Sequence, residues 1–413
     1  MNDGSRRLTR RGFLYGAGGV VAVAVAAGIS QQSSGQAGAT GRPGPIALPD
    51  QPSGLPVRQY AWGDYLAADQ FGNPTPPRFD RLILFDVKGT PAPAYARRLE
   101  AALRDLEHAY PWSHEGLLFL AAWSPDYFRR VLRVTSPIPK AKSLSDFESP
   151  AIDTYDLCLH LACDNEQRLQ AVERELVAKL APILTWRQTR TGFTGAGLPA
   201  ARQHVTGIPS GDPVSKAAPL FMGFKSALKK NQATEDAVAI QGGDFDQGTT
   251  MAVSYMTLSL DSWYQSYSYA QRVQLMYSPQ TTPADVAKFT TDAESNPGEI
   301  GRAIRDYGVI GHSQASATAR VNGKPLILRR DFDTVDGGEA GLHFVALQRD
   351  IADFVKTRTA MNQSNAQQVN QAITETVNNG INAFMFVLKR ANYLVPPRSG
   401  RSFPLLPGRD AAL

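Results

Sequence analysis

Leu82-Ile83-Leu84-Phe85-Asp86-Val87 is an apolar run interrupted once, short and rich in branched and aromatic side chains, and it reads as a buried strand. The segments after it decide the fold. Residues 94–110 set Tyr95, Leu99, Leu103 and Leu106 on one helical face, residues 117–123 give a second strand, and residues 126–132 a short helix. Residues 155–162 form a third strand. Between Asn165 and Leu180 the side chains of Leu169, Val172, Leu176 and Leu180 make one helical stripe, and residues 183–194 alternate as a fourth strand. The order βαββαβ is that of a ferredoxin-like unit. After a Gly/Pro-rich stretch it recurs: strand 251–260, helix 283–290 with Pro at its first turn, strand 342–347, helix 351–359 and strand 383–388. The pattern predicts an α+β protein of two ferredoxin-like halves, residues 79–200 and 201–413, packed together.

Upstream, residues 40–78 are dense in Pro and Gly without periodicity, which predicts a linker and an irregular arm wrapped on the body. Residues 1–39 have a different character. A basic head is followed by a weakly apolar run, Phe13 to Ile29, and then by Ala37-Gly38-Ala39, a small-x-small cleavage site. Within it, Thr9-Arg10-Arg11-Gly12-Phe13-Leu14 resembles the twin-arginine export consensus. That resemblance implies passage through the twin-arginine translocase in a folded state, a mature chain starting near Thr40, and a periplasmic, extracellular or cell-envelope destination. Contact with the membrane is expected only if the signal stays uncleaved. Removing these residues lowers the net charge from +5 to +2, so the high pI belongs largely to the signal and gives no support for nucleic-acid binding. Cys158 and Cys163 stand five apart in one strand, on opposite faces, and are not placed to bridge. No Cys-x-x-Cys-His stretch is present, so covalent c-type haem is not expected.

Of six histidines, His108 and His114 flank a turn, His160 and His343 sit in strands, and His204 in a loop. His312 lies in a segment with neither period, between Gly311 and Ser313-Gln314. Next comes Ile327-Leu328-Arg329-Arg330-Asp331, in which Arg330 lies eighteen residues after His312, and then the strand carrying His343 and Phe344. This arrangement resembles the C-terminal signature of the dye-decolourising peroxidases, haem proteins of the dimeric α+β barrel type built from two ferredoxin-like halves. Leu220-Phe221-Met222-Gly223-Phe224-Lys225 is similar to that family's Gly-Phe-(Arg/Lys)-Asp-Gly motif, and Asp261-Ser262-Trp263 to the Trp that follows it. The likeness runs from about Arg81 to Pro397.

The resemblance implies a non-covalent haem b, with His312 as its iron ligand, Arg330 as the distal arginine, and Phe224 and Phe344 against the cofactor. It implies reduction of hydrogen peroxide with one-electron oxidation of a bulky donor whose identity the sequence leaves open, as it does oligomeric state. One departure bears on the chemistry. The family's proton-carrying Asp is replaced by Ser226, whose hydroxyl does not cycle a proton at neutral pH as a carboxylate does. Glu235 and Asp236, close along the chain, are the substitutes the sequence offers. The departure keeps two other readings open: a haem-binding or haem-handling protein with little peroxidase activity, and a cofactor-free binding protein on the same fold.

Overall fold

Apolar alternation and helix capping build the first half. β1 (Phe79–Val87) is followed by α1 (Pro93–Ala109), which opens on a Pro whose missing N–H would have no helical partner in any case. β2 (Leu118–Trp123) and β3 (Leu157–Cys163) come next. α2 (Glu166–Leu180), capped by the Asn165 side chain accepting from the Arg168 N–H, leads into β4 (Leu184–Phe193). The stripe Leu169, Val172, Leu176 and Leu180 is buried as its spacing predicts. The strands lie in the order β4-β1-β3-β2, each antiparallel to its neighbours. A computed structural model describes residues 46–195, 220–225, 228–290 and 299–413, and Pro45–Leu413 forms one compact unit. The expected export signal lies outside the described residues, among which no helix is long and apolar enough to cross a membrane.

The second half repeats that order with less regular crossovers. β5 (Thr249–Leu258) and β8 (Gly341–Gln348) pair antiparallel, with β9 (Met385–Val395) beyond β5 and the short β6 (Leu328–Arg329) beyond β8. β7 (Phe332–Thr334) continues the β6 stretch and also pairs with β8. The sequence pattern missed this broken second strand, which hides in the Arg-Arg-Asp run, and ended the last strand seven residues too early, at Leu388. The helix foreseen over 283–290 is a single turn, Pro283–Val286.

The two sheets close on each other. β9 pairs with β2 at Leu394 and Trp123, and β7 pairs with β4 at Asp333 and Phe193, so eight positions around the ring form a barrel without free edges. At the second seam Gly192 is required, because any Cβ there would overlap the Phe332 ring and the Asp333 carbonyl.

Both chain ends are fastened to the first half. Tyr60 and Trp62 of the expected arm are core residues, and the buried Gln59 side chain accepts from the Ala121 N–H at 2.8 Å while donating to the Pro396 carbonyl at 2.8 Å. The tail after β9 returns to α1, where Arg398 and Arg401 meet Glu107, and Arg401 also meets Glu100 at 3.0 Å. Arg401 is 0 % exposed. Taking it away leaves two buried carboxylates with one cation fewer each, Glu107 keeping Arg398 and Glu100 keeping Arg104, and breaking a buried pair costs roughly 3–5 kcal/mol. Arg401→Ala should therefore lower the unfolding free energy by about that much in urea titrations, and a loss under about 1 kcal/mol would show the cluster to be dispensable. The two cysteines are buried free thiols on β3, and burial pushes the Cys158 pKa up to about 12, the state of an inert side chain.

Candidate functional site

Strand alternation sorts the chemistry-bearing residues onto two faces. The His160 ring on β3 lies 5.8 Å from that of Phe332 on β7, although β1 and β4 separate their strands, so both point into the barrel. Phe332 in turn lies 5.2 Å from His343, which stacks on Tyr255 at 4.8 Å. His160 bonds Asp80 at 2.8 Å and Trp62 closes over it at 5.2 Å. Residues one position away on the same strands face outward, among them Ser254 and Met256 on β5 and Leu342 and Phe344 on β8.

That outer face forms one wall of a cleft whose empty space, open solvent at its mouth included, is about 1550 Å³. Two helices supply the opposite wall: α3 (His312–Ala317), through His312 and Ser316, and α4 (Ile351–Ala360), through Phe354, Thr357 and Arg358. His312 occupies the first position of its helix, accessible from the cleft. Gly380, at φ +55°, packs on its backbone so closely that a Cβ would stand 3.0 Å from the His312 Cα. Burial first, and then the charges of Arg329 and Arg358, push the His312 pKa down to about 3, which holds the imidazole neutral.

Charge in the cleft is one-sided. Among the described lining residues five are basic (Lys225, Arg320, Arg329, Arg358 and Arg390) and one, Asp331, is acidic. Arg390 and Arg358 share Glu148, at 2.8 Å and 3.7 Å, and Lys225 meets Asp69. A lining of this sign favours a ligand that carries negative charge and is apolar where it meets Phe224, Met256 and Phe344.

The structure brings some of the sequence candidates together and separates others. His312, Phe224 and Phe344 all line the cleft. Phe224 is fixed by stacking on Tyr269 at 5.8 Å and an edge contact with Tyr277 at 5.4 Å. Arg330 does not line it; its guanidinium turns inward, 3.1 Å from Glu235 and 5.6 Å from the Trp62 ring centre. The cleft-facing residues of that stretch are Arg329 and Asp331. A one-residue step along an extended chain moves a side chain to the other face, and spacing alone does not reveal which of two adjacent arginines faces the ligand. Ser226 lies outside the described residues. Neither substitute acid reaches the cleft: Glu235 accepts from the Trp62 and Gly63 N–H groups at 2.8 Å each, and Asp236 pairs with Arg58 at the surface. His343 faces the barrel interior, where burial pushes its pKa down to about 4.

Comparison with known proteins bears on the fold. A model described as a family of unknown function, DUF7405, matches residues 77–397. No curated protein matches in sequence. Among solved structures, a variant of DypB from Rhodococcus jostii RHA1 in complex with heme superposes with a TM-score of 0.56 at 14% identity, over 83% of this chain and 97% of that one. The dye-decolorizing protein from V. cholerae gives 0.54 at 15% identity, covering 82% and 97%. The encapsulated DyP-type peroxidase from Mycobacterium smegmatis gives 0.55 at 15% identity, covering 81% and 97%. The α+β fold of two ferredoxin-like halves is thus that of the DyP-type proteins.

Proposed function

We propose that this chain, which belongs to the DUF7405 family and shares its fold with the DyP-type peroxidases, binds haem b non-covalently in the cleft at His312 and reduces hydrogen peroxide at the expense of a bulky electron donor. The single observation that carries the reading is the neutral His312 imidazole presented to an apolar cleft lined by basic residues. Its residues fit the group. A flat apolar ring with two carboxylates needs apolar walls, basic residues at the rim and one neutral nitrogen ligand, and the cleft offers all three. Among the described residues no three His, Cys, Asp or Glu side chains cluster, so His312 would hold a metal only as part of a cofactor that supplies its other ligands.

Haem, when bound, supplies a redox-active iron. The chain's own part is positioning. His312 is held by Gly380 at its back, Phe224 and Phe344 exclude water from the walls, and Arg329 presents an always-charged donor to the cleft. In this reading the distal-arginine role passes from Arg330 to Arg329. Titration of haemin into the purified chain tests the proposal. An intense Soret band that saturates at one equivalent, and peroxide-dependent oxidation of a dye, are expected. A Soret band without turnover would favour a haem-handling protein, and no band at all a cofactor-free binding protein.

Export by the twin-arginine route is the second part of the proposal, supported by the arginine pair Arg10-Arg11 and the Phe-Leu that follows it. With both arginines changed to lysine, precursor should accumulate in the cytoplasm with its signal attached, as read by cell fractionation and immunoblotting. Undiminished export of that variant would remove the assignment.

A further inference from the structure

The proposed chemistry needs a group that takes a proton from peroxide and gives it back, and the residues suggested by the sequence are not in place to do it. Glu235 and Asp236 are engaged elsewhere. One carboxyl remains among the described lining residues. Asp331 follows the Arg329 position by two residues, on the same face of the extended stretch, and shares the cleft with His312. Its side chain is accessible from the cleft, yet Oδ1 is buried without a hydrogen-bond partner. Such an atom is costly unless something that enters the site satisfies it.

We propose that Asp331 is the acid–base residue of this site. The inference rests on the haem-peroxidase reading above. As a carboxylate Asp331 accepts the proton from one oxygen of hydrogen peroxide, and as the acid it returns that proton to the other oxygen, which departs as water when the O–O bond breaks. The proton count on the chain is unchanged over the cycle. The two electrons consumed come from the bound haem and are restored one at a time by the donor, and with two protons from solvent the remaining oxygen leaves as a second water. Arg329, the nearest cation on the same face, balances the charge that develops.

The electrostatics support the geometry. Burial pushes the Asp331 pKa up to about 7, against the downward pull of Arg329 and Arg330 and with a further push from Asp80 on β1. The other charged or titratable side chains facing the cleft are His312 and Arg320 on the α3 side, Lys225, Arg358 and Arg390. A group poised near neutrality is the form in which both proton transfers are accessible.

Asp331→Asn keeps the shape and removes the titration. In stopped-flow mixing of the haem-loaded protein with peroxide, the spectral change should slow by about a hundredfold or more. The wild-type rate should rise with pH through about 7, as the carboxylate forms, and this limb should vanish in the variant while Asp331→Glu restores part of it. A second readout needs no haem: difference infrared spectra of the apo chain should show a protonated-carboxyl band that titrates near pH 7 and is missing from apo Asp331→Asn. Equal peroxide rates and pH profiles in the two loaded proteins would overturn the assignment of Asp331 alone. So would the absence of that band, whether or not the variant takes up haem. Failure of every protein to form a Soret band would overturn the haem reading instead, and with it the role of Asp331.

Discussion

His312→Ala should abolish the Soret absorption of protein reconstituted with haemin and weaken haemin binding by more than about a hundredfold, since loss of a mere supporting partner of a metal ligand already costs 10–100-fold. In the proposed reading the imidazole is the side chain that bonds the metal, and the apolar walls and basic residues supply contacts that do not replace that bond. Because His312 is accessible from the cleft, its removal should leave the fold intact. Thermal unfolding of the apo variant within a few degrees of the wild type would confirm that the lost binding is local. His343→Ala is the control: that ring faces the barrel interior, and its loss should alter stability without touching haemin affinity. Unchanged haem content and spectrum in His312→Ala would defeat the proposal at its centre.

The neighbouring arginines should separate into two phenotypes. Arg329→Leu removes a charged donor from the cleft, and deletions of single donors that stabilise developing negative charge cost about 10²–10³ in rate. The peroxide step should slow by that factor with haem uptake retained. Arg330→Leu leaves Glu235 without its cation and strips the charge from beside Trp62, so its expected signature is destabilisation by up to about 3–5 kcal/mol. Glu235 is partly exposed, which places the loss toward the lower end. Stopped-flow rates and denaturant titrations on both variants decide the matter. A slow, stable Arg330→Leu beside a normal Arg329→Leu would return the catalytic role to Arg330.

The first half was legible because each of its elements carries a complete apolar pattern, from the continuous apolar run of β1 to the stripe of α2. Much of the second half was not. Its second strand is split between Leu328–Arg329 and Phe332–Thr334 and too polar to show a period of two. Its first crossover is broken into short helices, one of which carries His312. That histidine could be singled out by its setting, whereas the orientation of the Arg329-Arg330-Asp331 run could not. Facing is a property of the pairing with β8, where Leu328 lies opposite Leu347 and Phe332 opposite His343, and it comes into being only when strands meet. The Arg398 and Arg401 cluster was equally hidden, since its glutamates lie about three hundred residues away along the chain.

The place of β9 between the two sheets has a kinetic consequence. As the last strand in the chain, it bonds β5 along one side and meets β2 on the other. Until it has left the ribosome, both of those strands present open edges of the kind that recruit strands from other chains. Closure therefore waits until Met385–Val395 has been made, and the pairing that completes the ring joins strands far apart in the sequence, which makes it intrinsically slow. A nonsense mutation or proteolytic cut ahead of Met385 would leave a ring that lacks one stave and exposes two strand edges to other chains.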